Sequence, residues 1–347
     1  MDRLDIRILR ELFQAHTVWP ARPGPVASYR RVARAVRASP GTVRNRLREM
    51  VRTGFLRGIA VYPNPYAIGR RSHSYAVEVA PDVDKEAAVR AVLRVPEVVM
   101  LENFHGRLIG VGIANRDDAS LARCVAEINR IVHAPGGLVS GVEHPPVAGP
   151  IAPAEWALIE RLMQGDFPSY GHLAADLGTS TRTLKRRLAR LAESNAIMTY
   201  PRLDHRSLAG GATADLLVQF VDAGVRGSTE PRIRSLVEPW VTYVGAWEEF
   251  MIYRLVLPNI AMATDLAAAV QRLDGVRAAR AEFAVEFLDR LDEFRREVHA
   301  RSGTASRAVG PPSRKDGRRS RRPSGVRRAA PRTRADRSRA GPRASRR

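Results

Sequence analysis

The chain has a single cysteine among its 347 residues, so no intrachain disulfide can form, and a reducing cytosol fits this usage. No apolar run is long enough for a membrane span, which leaves no expected membrane partner. The start, Met1 to Asp5, has no apolar stretch behind a basic cap, so a signal peptide is not expected. The eight histidines show no close Cys/His pairing, so neither a metal site nor a cofactor is expected. No Ser-His-Asp pattern with a nucleophile elbow is present. Gly110 and Gly112 have no third glycine after them and lie inside an apolar strand, so they read as a packing pair and not as a nucleotide loop. Cys124 shares a helical face with Leu121, Val125 and Ile128 and reads as an inert buried thiol.

What is present is a stretch that occurs twice. Residues 28–69 align with 169–210 at a constant offset of 141 without a gap. Identities include Tyr29/Tyr170, Ala33/Ala174, Ser39/Ser180, Thr42/Thr183, Arg46/Arg187, Leu47/Leu188 and Gly69/Gly210. The period is too long for a solenoid and suits two duplicated halves, each a pair of small domains. The 44% hydrophobic content supports two to four small cores.

Charge follows the repeat. The formal net charge is +21, of which residues 302–347 supply +14 and residues 1–69 supply +9, leaving the remainder slightly acidic. Positive charge on the repeated segments and the tail suits a polyanionic partner.

Each half opens on an amphipathic helix, with Leu4, Ile8 and Leu12 in the first and Trp156, Ile159 and Leu162 in the second. The first connector, holding Pro20, Pro23, Gly24 and Pro25, reads as a surface loop. Ser28 and Ser169 are expected to cap the next helix, and Ser39 and Ser180 the third. The third helices end near Gly54 and Asn195, residue types that tolerate a left-handed turn. Phe55–Tyr62 and Ala196–Leu203 are each expected to form a small hairpin.

A βαββαβ order follows in each half. The first runs Ser74–Val79, Asp84–Leu93, Val98–Phe104, Leu108–Ile113, Asp117–Val132 and Gly141–Val147. The second runs Ala214–Phe220, Pro231–Val237, Val241–Ala246, Phe250–Leu257, Ile260–Leu273 and Val276–Val285. That order is typical of ferredoxin-like sandwiches. Glu286–His299 is expected as a final charged helix. The Arg-rich tail is expected to be disordered, because it holds almost no large apolar residue to offset chain entropy.

The third helix of each copy splits into an apolar face and a donor face. Opposite Val43, Leu47 and Met50 lie Gly41, Asn45 and Arg48, with Arg44 at the flank. Opposite Leu184, Leu188 and Leu191 lie Arg182, Arg186 and Arg190, with Lys185 at the flank. A helix that enters the major groove needs this division. Arg46 and Arg187 sit at the edge of the apolar face, where a phosphate clamp and an internal acid are two open readings. Thr42 and Thr183 in the first turn suit either a phosphate at the positive helix end or local capping.

The opening Leu4-Asp5-x-x-Ile8-Leu9-x-x-Leu12 and the Ser-x-x-Thr-φ-x-x-Arg-φ core (φ is apolar), with the apolar strand that closes the unit, resemble the leucine-responsive/asparagine-regulator (Lrp/AsnC) family. The resemblance implies an α+β chain, two winged helix-turn-helix domains alternating with two ferredoxin-like sandwiches of the family's effector-binding (RAM) type. The implied boundaries are 1–69, 70–148, 149–210 and 211–300, with the tail at 301–347. It implies a nucleoid-associated, cytoplasmic transcriptional regulator of two fused family subunits, with double-stranded DNA as partner and self-association as in family members. Thr42–Arg48 and Thr183–Arg190 take the recognition role by that likeness.

The family's Gly-x-x-Asp effector turn is absent, since Gly106 is followed at the fourth place by Ile109, and Glu248 by Met251. Amino-acid binding is therefore not expected. A small effector, if bound, would meet His105, Gly106, Trp247 and Glu248. Two other classes compete with the non-enzymatic regulator. Some haem-pathway decarboxylases resemble the same architecture and would use histidines such as His73, His105, His133 and His144. An architectural nucleoid protein would need little beyond the tail.

Overall fold

The computed structural model describes residues 1–17, 29–164, 169–208, 210–247 and 250–306. The described residues form a mixed α+β fold. The expected connector loop, Ser28, Glu248 and nearly all of the Arg-rich tail lie outside them.

The first half runs α1 (Arg3–Thr17), α2 (Tyr29–Ala35), α3 (Pro40–Arg52), β1 (Leu56–Pro63), β2 (Arg71–Glu78), α4 (Lys85–Val92), β3 (Val98–Phe104), β4 (Leu108–Asn115), α5 (Asp118–Val132) and β5 (Leu138–Val142). The second runs α6 (Pro153–Gln164), α7 (Tyr170–Asp176), α8 (Thr181–Glu193), β6 (Ile197–Leu203), β7 (Ala212–Phe220), α9 (Arg226–Val237), β8 (Val241–Ala246), β9 (Phe250–Leu257), α10 (Ile260–Gln271) and β10 (Val276–Asp289), then α11 (Asp292–Ser306). Gly54 and Asn195 both take positive φ, +80° and +60°, just beyond α3 and α8. These left-handed turns let the chain reverse into a strand.

The expected hairpins do not form. Each unit contributes one strand, and β1 pairs antiparallel with β6 in a two-stranded ribbon. Its register puts Ile59 opposite Pro201 and Ala60 opposite Tyr200. The repeat offset makes Ile59 equivalent to Tyr200 and Ala60 to Pro201, so the ribbon is symmetric about its own centre. An apolar strand with an unpaired edge pairs with its copy instead of folding back on itself. Tyr62 and Tyr200 meet across it edge to face at 5.6 Å, and Phe294 stacks on Tyr62 at 6.2 Å.

Beyond the ribbon, each helical unit completes its core on the opposite half. Ile8, Leu9, Val32, Val43 and Phe55 pack with Leu203 and Val256, flanked by Trp240 and Tyr243. Trp156, Ile159, Leu173, Leu184 and Leu188 pack with Val61, Ile68 and Ala114. Leu291, Phe294 and Val298, just before and along α11, join this second cluster.

The two sandwiches are not separate sheets. Their eight strands form one sheet in the order β5-β2-β4-β3-β10-β7-β9-β8. Each group of four keeps the ferredoxin-like order. The joint is β10, whose first part pairs with β7 and whose second part, Ala284 to Asp289, pairs with β3. The final helix therefore starts at Asp292, because Glu286 to Asp289 are drawn into the sheet. The first half lacks this extension, and its last strand ends at Val142 instead of Val147. The register equates Gly141, opposite His73, with Phe283, opposite Ala214. Pro145 and Pro146 thus stand where β10 continues as Phe287 and Leu288. Proline has no N–H for a ladder and is confined to strand ends and edges. Gly112 is a packing glycine, since a Cβ there would overlap Met100. Cys124 is buried, and burial pushes its thiol up to about 12.

At the joint, Arg254 on β9 donates to Asp215 at 2.7 and 2.8 Å and to Glu102 of the first half at 2.5 Å. One buried cation faces two carboxylates. Burial pushes Glu102 up to about 7, and Asp215 adds to the rise while Arg254 opposes it. The folded chain then holds a proton that the unfolded chain releases near 4.5, so stability falls as pH rises from about 4.5 to about 7. Glu102→Gln is expected to flatten that slope in urea titrations, and an unchanged slope would mean that Glu102 stays ionised. Arg254→Leu, which leaves both acids unpaired, should cost about 3–5 kcal/mol.

Candidate nucleic-acid interface and interior cavity

Ser39 accepts from the Thr42 backbone N–H at 3.0 Å, and Ser180 from that of Thr183 at 3.1 Å. Pro40, with no N–H to leave unsatisfied, fits the first turn of α3. Val43 and Met50 of α3 are buried, as are Leu184, Leu188 and Leu191 of α8. Arg44, Asn45 and Arg48 face solvent on α3, and Arg182, Lys185, Arg186 and Arg190 on α8.

The donor faces divide by what they touch. Arg44, Asn45, Arg48, Arg182, Arg186 and Arg187 have no side-chain partner among the described residues. Lys185 lies over the Tyr170 ring at 5.9 Å. Arg46 is held by Asp2 at 2.8 Å and Asp5 at 3.4 Å, so it ties α3 to α1. Arg190 binds the buried Glu155 through Nε at 2.5 Å and does the same for α8 and α6. Of the two readings left open for Arg46, the geometry favours the internal acid. The Thr42 and Thr183 hydroxyls lie 2.9 and 3.0 Å from the capping serines, which is local capping.

The four effector candidates do not converge. His105 and Gly106 form the exposed β3–β4 turn, where His105 N–H donates to Phe283 O at 2.8 Å. Trp247 lines a separate cavity of about 1480 Å³. Glu248 lies outside the described residues. The cavity opens between the free edges of β5 and β8 and draws in residues that the turn pattern did not mark, among them Arg70, Arg71, Arg116 and Arg226. For Arg70 and Arg71 the signal is a local run, Arg70-Arg71-Ser72-His73, at the start of a strand.

Two of the four histidines of the first sandwich meet in this cavity. His73 Nδ1 lies 2.7 Å from Asn115 Oδ1, and Asn115 Nδ2 donates to Asp117 O at 2.9 Å. The Asn115 amide oxygen thus faces His73 Nδ1. His144 Nε2 lies 2.7 Å from Ser72 Oγ, and burial pulls His144 down to about 4. His133 is elsewhere, bonded to Asp82 at 2.9 Å.

Residues 1–51 match the family model of the AsnC-type helix-turn-helix domain. The chain begins with an AsnC-type helix-turn-helix domain. In helix-turn-helix proteins the second helix of the motif is the one that lies in the major groove. No curated protein matches the sequence. Among solved structures, the chain is similar in fold to the siroheme decarboxylase NirDL, with a TM-score of 0.50 and 15% identity, covering 87% of this chain and 99% of that one. E. coli AsnC aligns over 44% of this chain and 97% of its own at 19% identity and a TM-score of 0.29. An AsnC family transcriptional regulator from Agrobacterium tumefaciens aligns over 42% and 92% at 18% identity and a TM-score of 0.29. Among the described residues, no group of acids, histidines or cysteine could hold a metal ion, and no helix is long and apolar enough to cross a membrane.

The internal ion pairs separate two kinds of arginine on one helix. Arg190→Ala should lower the melting temperature, because Glu155 loses its partner in a buried site. Arg186→Ala should leave it unchanged. Equal effects in thermal melts would contradict the division.

Proposed function

We propose that the chain is a sequence-specific DNA-binding transcriptional regulator built from two fused Lrp/AsnC-type subunits, acting without catalysis in the cytoplasm. One observation carries this. Two helices in equivalent places, α3 and α8, each bury one face and turn unpartnered Arg and Asn donors outward. Arg can bridge guanine bidentately and Asn can do so with adenine. The two faces differ, Asn45 and Arg48 against Arg182 and Arg186, so the two half-sites differ as well. The Arg-rich tail adds phosphate contacts without sequence preference.

Arg48→Ala and Arg186→Ala are expected to weaken binding at different half-sites, by about 1–3 kcal/mol where the contact is to a base. Equal weakening on all sequences would assign both to phosphate. Removing residues 307–347 should flatten the salt dependence, by about 0.9 in the log–log slope per lost phosphate contact, and keep the ranking of sequences. A ranking that vanishes with the tail would favour an architectural nucleoid protein.

A second reading, a haem-pathway decarboxylase, is favoured by His73 and His144 meeting beside arginines in one large cavity. In that reading the cavity holds a carboxylated tetrapyrrole. Incubation with siroheme and mass spectrometry tests it. Loss of carbon dioxide, abolished in His73→Ala, would establish the enzyme, and intact siroheme would exclude it.

A further inference from the structure

The repeat makes each position of α3 comparable with one of α8. Ser39 and Ser180 cap the two helices in the same way, so equivalent residues share a helical phase. Both helices bury the same phase, Val43 and Met50 on α3, Leu184 and Leu191 on α8. The register of the β1–β6 ribbon is its own image under the repeat, so a two-fold relation links the strands that leave the two helices. Helices related in that way lie along a duplex in opposite senses, and equivalent side chains meet opposite strands.

Three differences between the copies fall on one line of the outward face. Gly41 stands where α8 has Arg182, Asn45 where it has Arg186, and Arg48 where it has Ala189. Residues spaced by four and three positions share a helix face. Asn45 and Arg186 are both exposed, and neither has a side-chain partner among the described residues. Asparagine carries its amide close to the backbone, whereas arginine carries its guanidinium several bonds farther out. A base edge within reach of Asn45 therefore needs α3 to lie deeper in the groove than α8 does with Arg186. Gly41 permits that approach, because no side chain stands between the first turn and the duplex. The fold itself does not demand glycine there, since a Cβ would meet only Ser39 Oγ at 3.6 Å. Glycine weakens a helix, and closer approach is the gain that offsets this. A deeper helix also brings its next turn to the groove, where α3 has Arg48 and α8 has Ala189.

We propose that α3 docks deep and reads adenine through Asn45, while α8 docks higher and reads guanine through Arg186, at equivalent positions of two inverted half-sites. This assignment rests on the DNA-binding reading above. The base edges supply the chemistry. The Asn amide N–H donates to N7 of adenine and its carbonyl accepts from the N6 amino group, whereas guanidinium N–H groups donate to O6 and N7 of guanine. Arg182 sets the height of α8, since its guanidinium meets a phosphate before the backbone can approach. A symmetric dimer presents the same residue twice, so the inequality is open only to a chain that carries both copies.

The test selects from a random duplex pool with the full chain, at a salt concentration that suppresses the tail's phosphate contacts. Two double variants are selected beside it, Gly41→Arg with Asn45→Arg, and Arg182→Gly with Arg186→Asn, and either alone decides the assignment. The parent is expected to enrich an inverted pair of half-sites with A·T at one position of the first and G·C at the equivalent position of the second. The first variant should turn that A·T preference into a G·C preference of about tenfold and leave the other half unchanged. The second should turn the G·C preference into A·T. Gly41→Arg alone should weaken binding to the parent site by roughly fivefold or more, because it holds Asn45 away from its base. Unchanged affinity in that variant would overturn the difference in depth. The same base pair in both halves of the parent site, or preferences that the folded double variants do not move, would overturn the base assignment and leave the DNA-binding reading standing. Half-sites in direct repeat would overturn the two-fold relation. A parent pool that stays random would overturn the DNA-binding reading itself.

Discussion

The structure depends on the exchange of apolar surface across the β1–β6 ribbon. A three-helix unit of about fifty residues buries too little on its own to be robust. Here each unit finishes its core on the other half, through Leu203 and Val256 for the first and Val61, Ile68 and Ala114 for the second. The two donor-bearing helices are therefore fixed relative to one another by buried contacts and not by a tether. The ribbon supplies the crossing, and the aromatic contacts of Tyr62, Tyr200 and Phe294 lock it. A symmetric dimer would build the same arrangement from two chains. A single chain can let the halves diverge, and the two donor faces have done so.

The broken symmetry has one local cause with two consequences. Where β10 continues, the sheet becomes continuous and places Glu102 beside Arg254 and Asp215. Where Pro145 and Pro146 replace that strand, the sheet ends and a cavity opens. Chain connectivity reinforces the difference. After β10 the chain runs into α11, which packs on the second helical unit, whereas after β5 it must pass on into that unit.

Much of this was legible in the residues. The repeat offset, the helix caps at Ser39, Ser169 and Ser180, the left-handed exits at Gly54 and Asn195, and the βαββαβ order are local or periodic, and local signals survive without knowledge of contacts. The differences lie mainly in pairing. A strand's partner is set by which edge is free elsewhere, so local patterning predicts two hairpins in place of the ribbon and two sheets in place of one. The end of β10 reads locally as helix because Glu286 and Asp289 lead into a charged run, and only the edge of β3 draws Phe287 and Leu288 into the sheet. At the site, the exposed donors of α3 and α8 followed from helical phase. The internal roles of Arg46 and Arg190 did not, because their partners Asp2, Asp5 and Glu155 lie on other helices. The cavity was invisible for the same reason, since its wall comes from both ends of the sheet.

The central claim is that α3 and α8 read DNA as a fixed, unequal pair. Selection from a random duplex pool with residues 1–306, which lack nearly all the basic tail, tests it most directly. The account predicts enrichment of a bipartite site whose two halves differ, spaced by about one helical turn or a multiple of it. A pool that remains random, or one that converges on a single half-site, would contradict it.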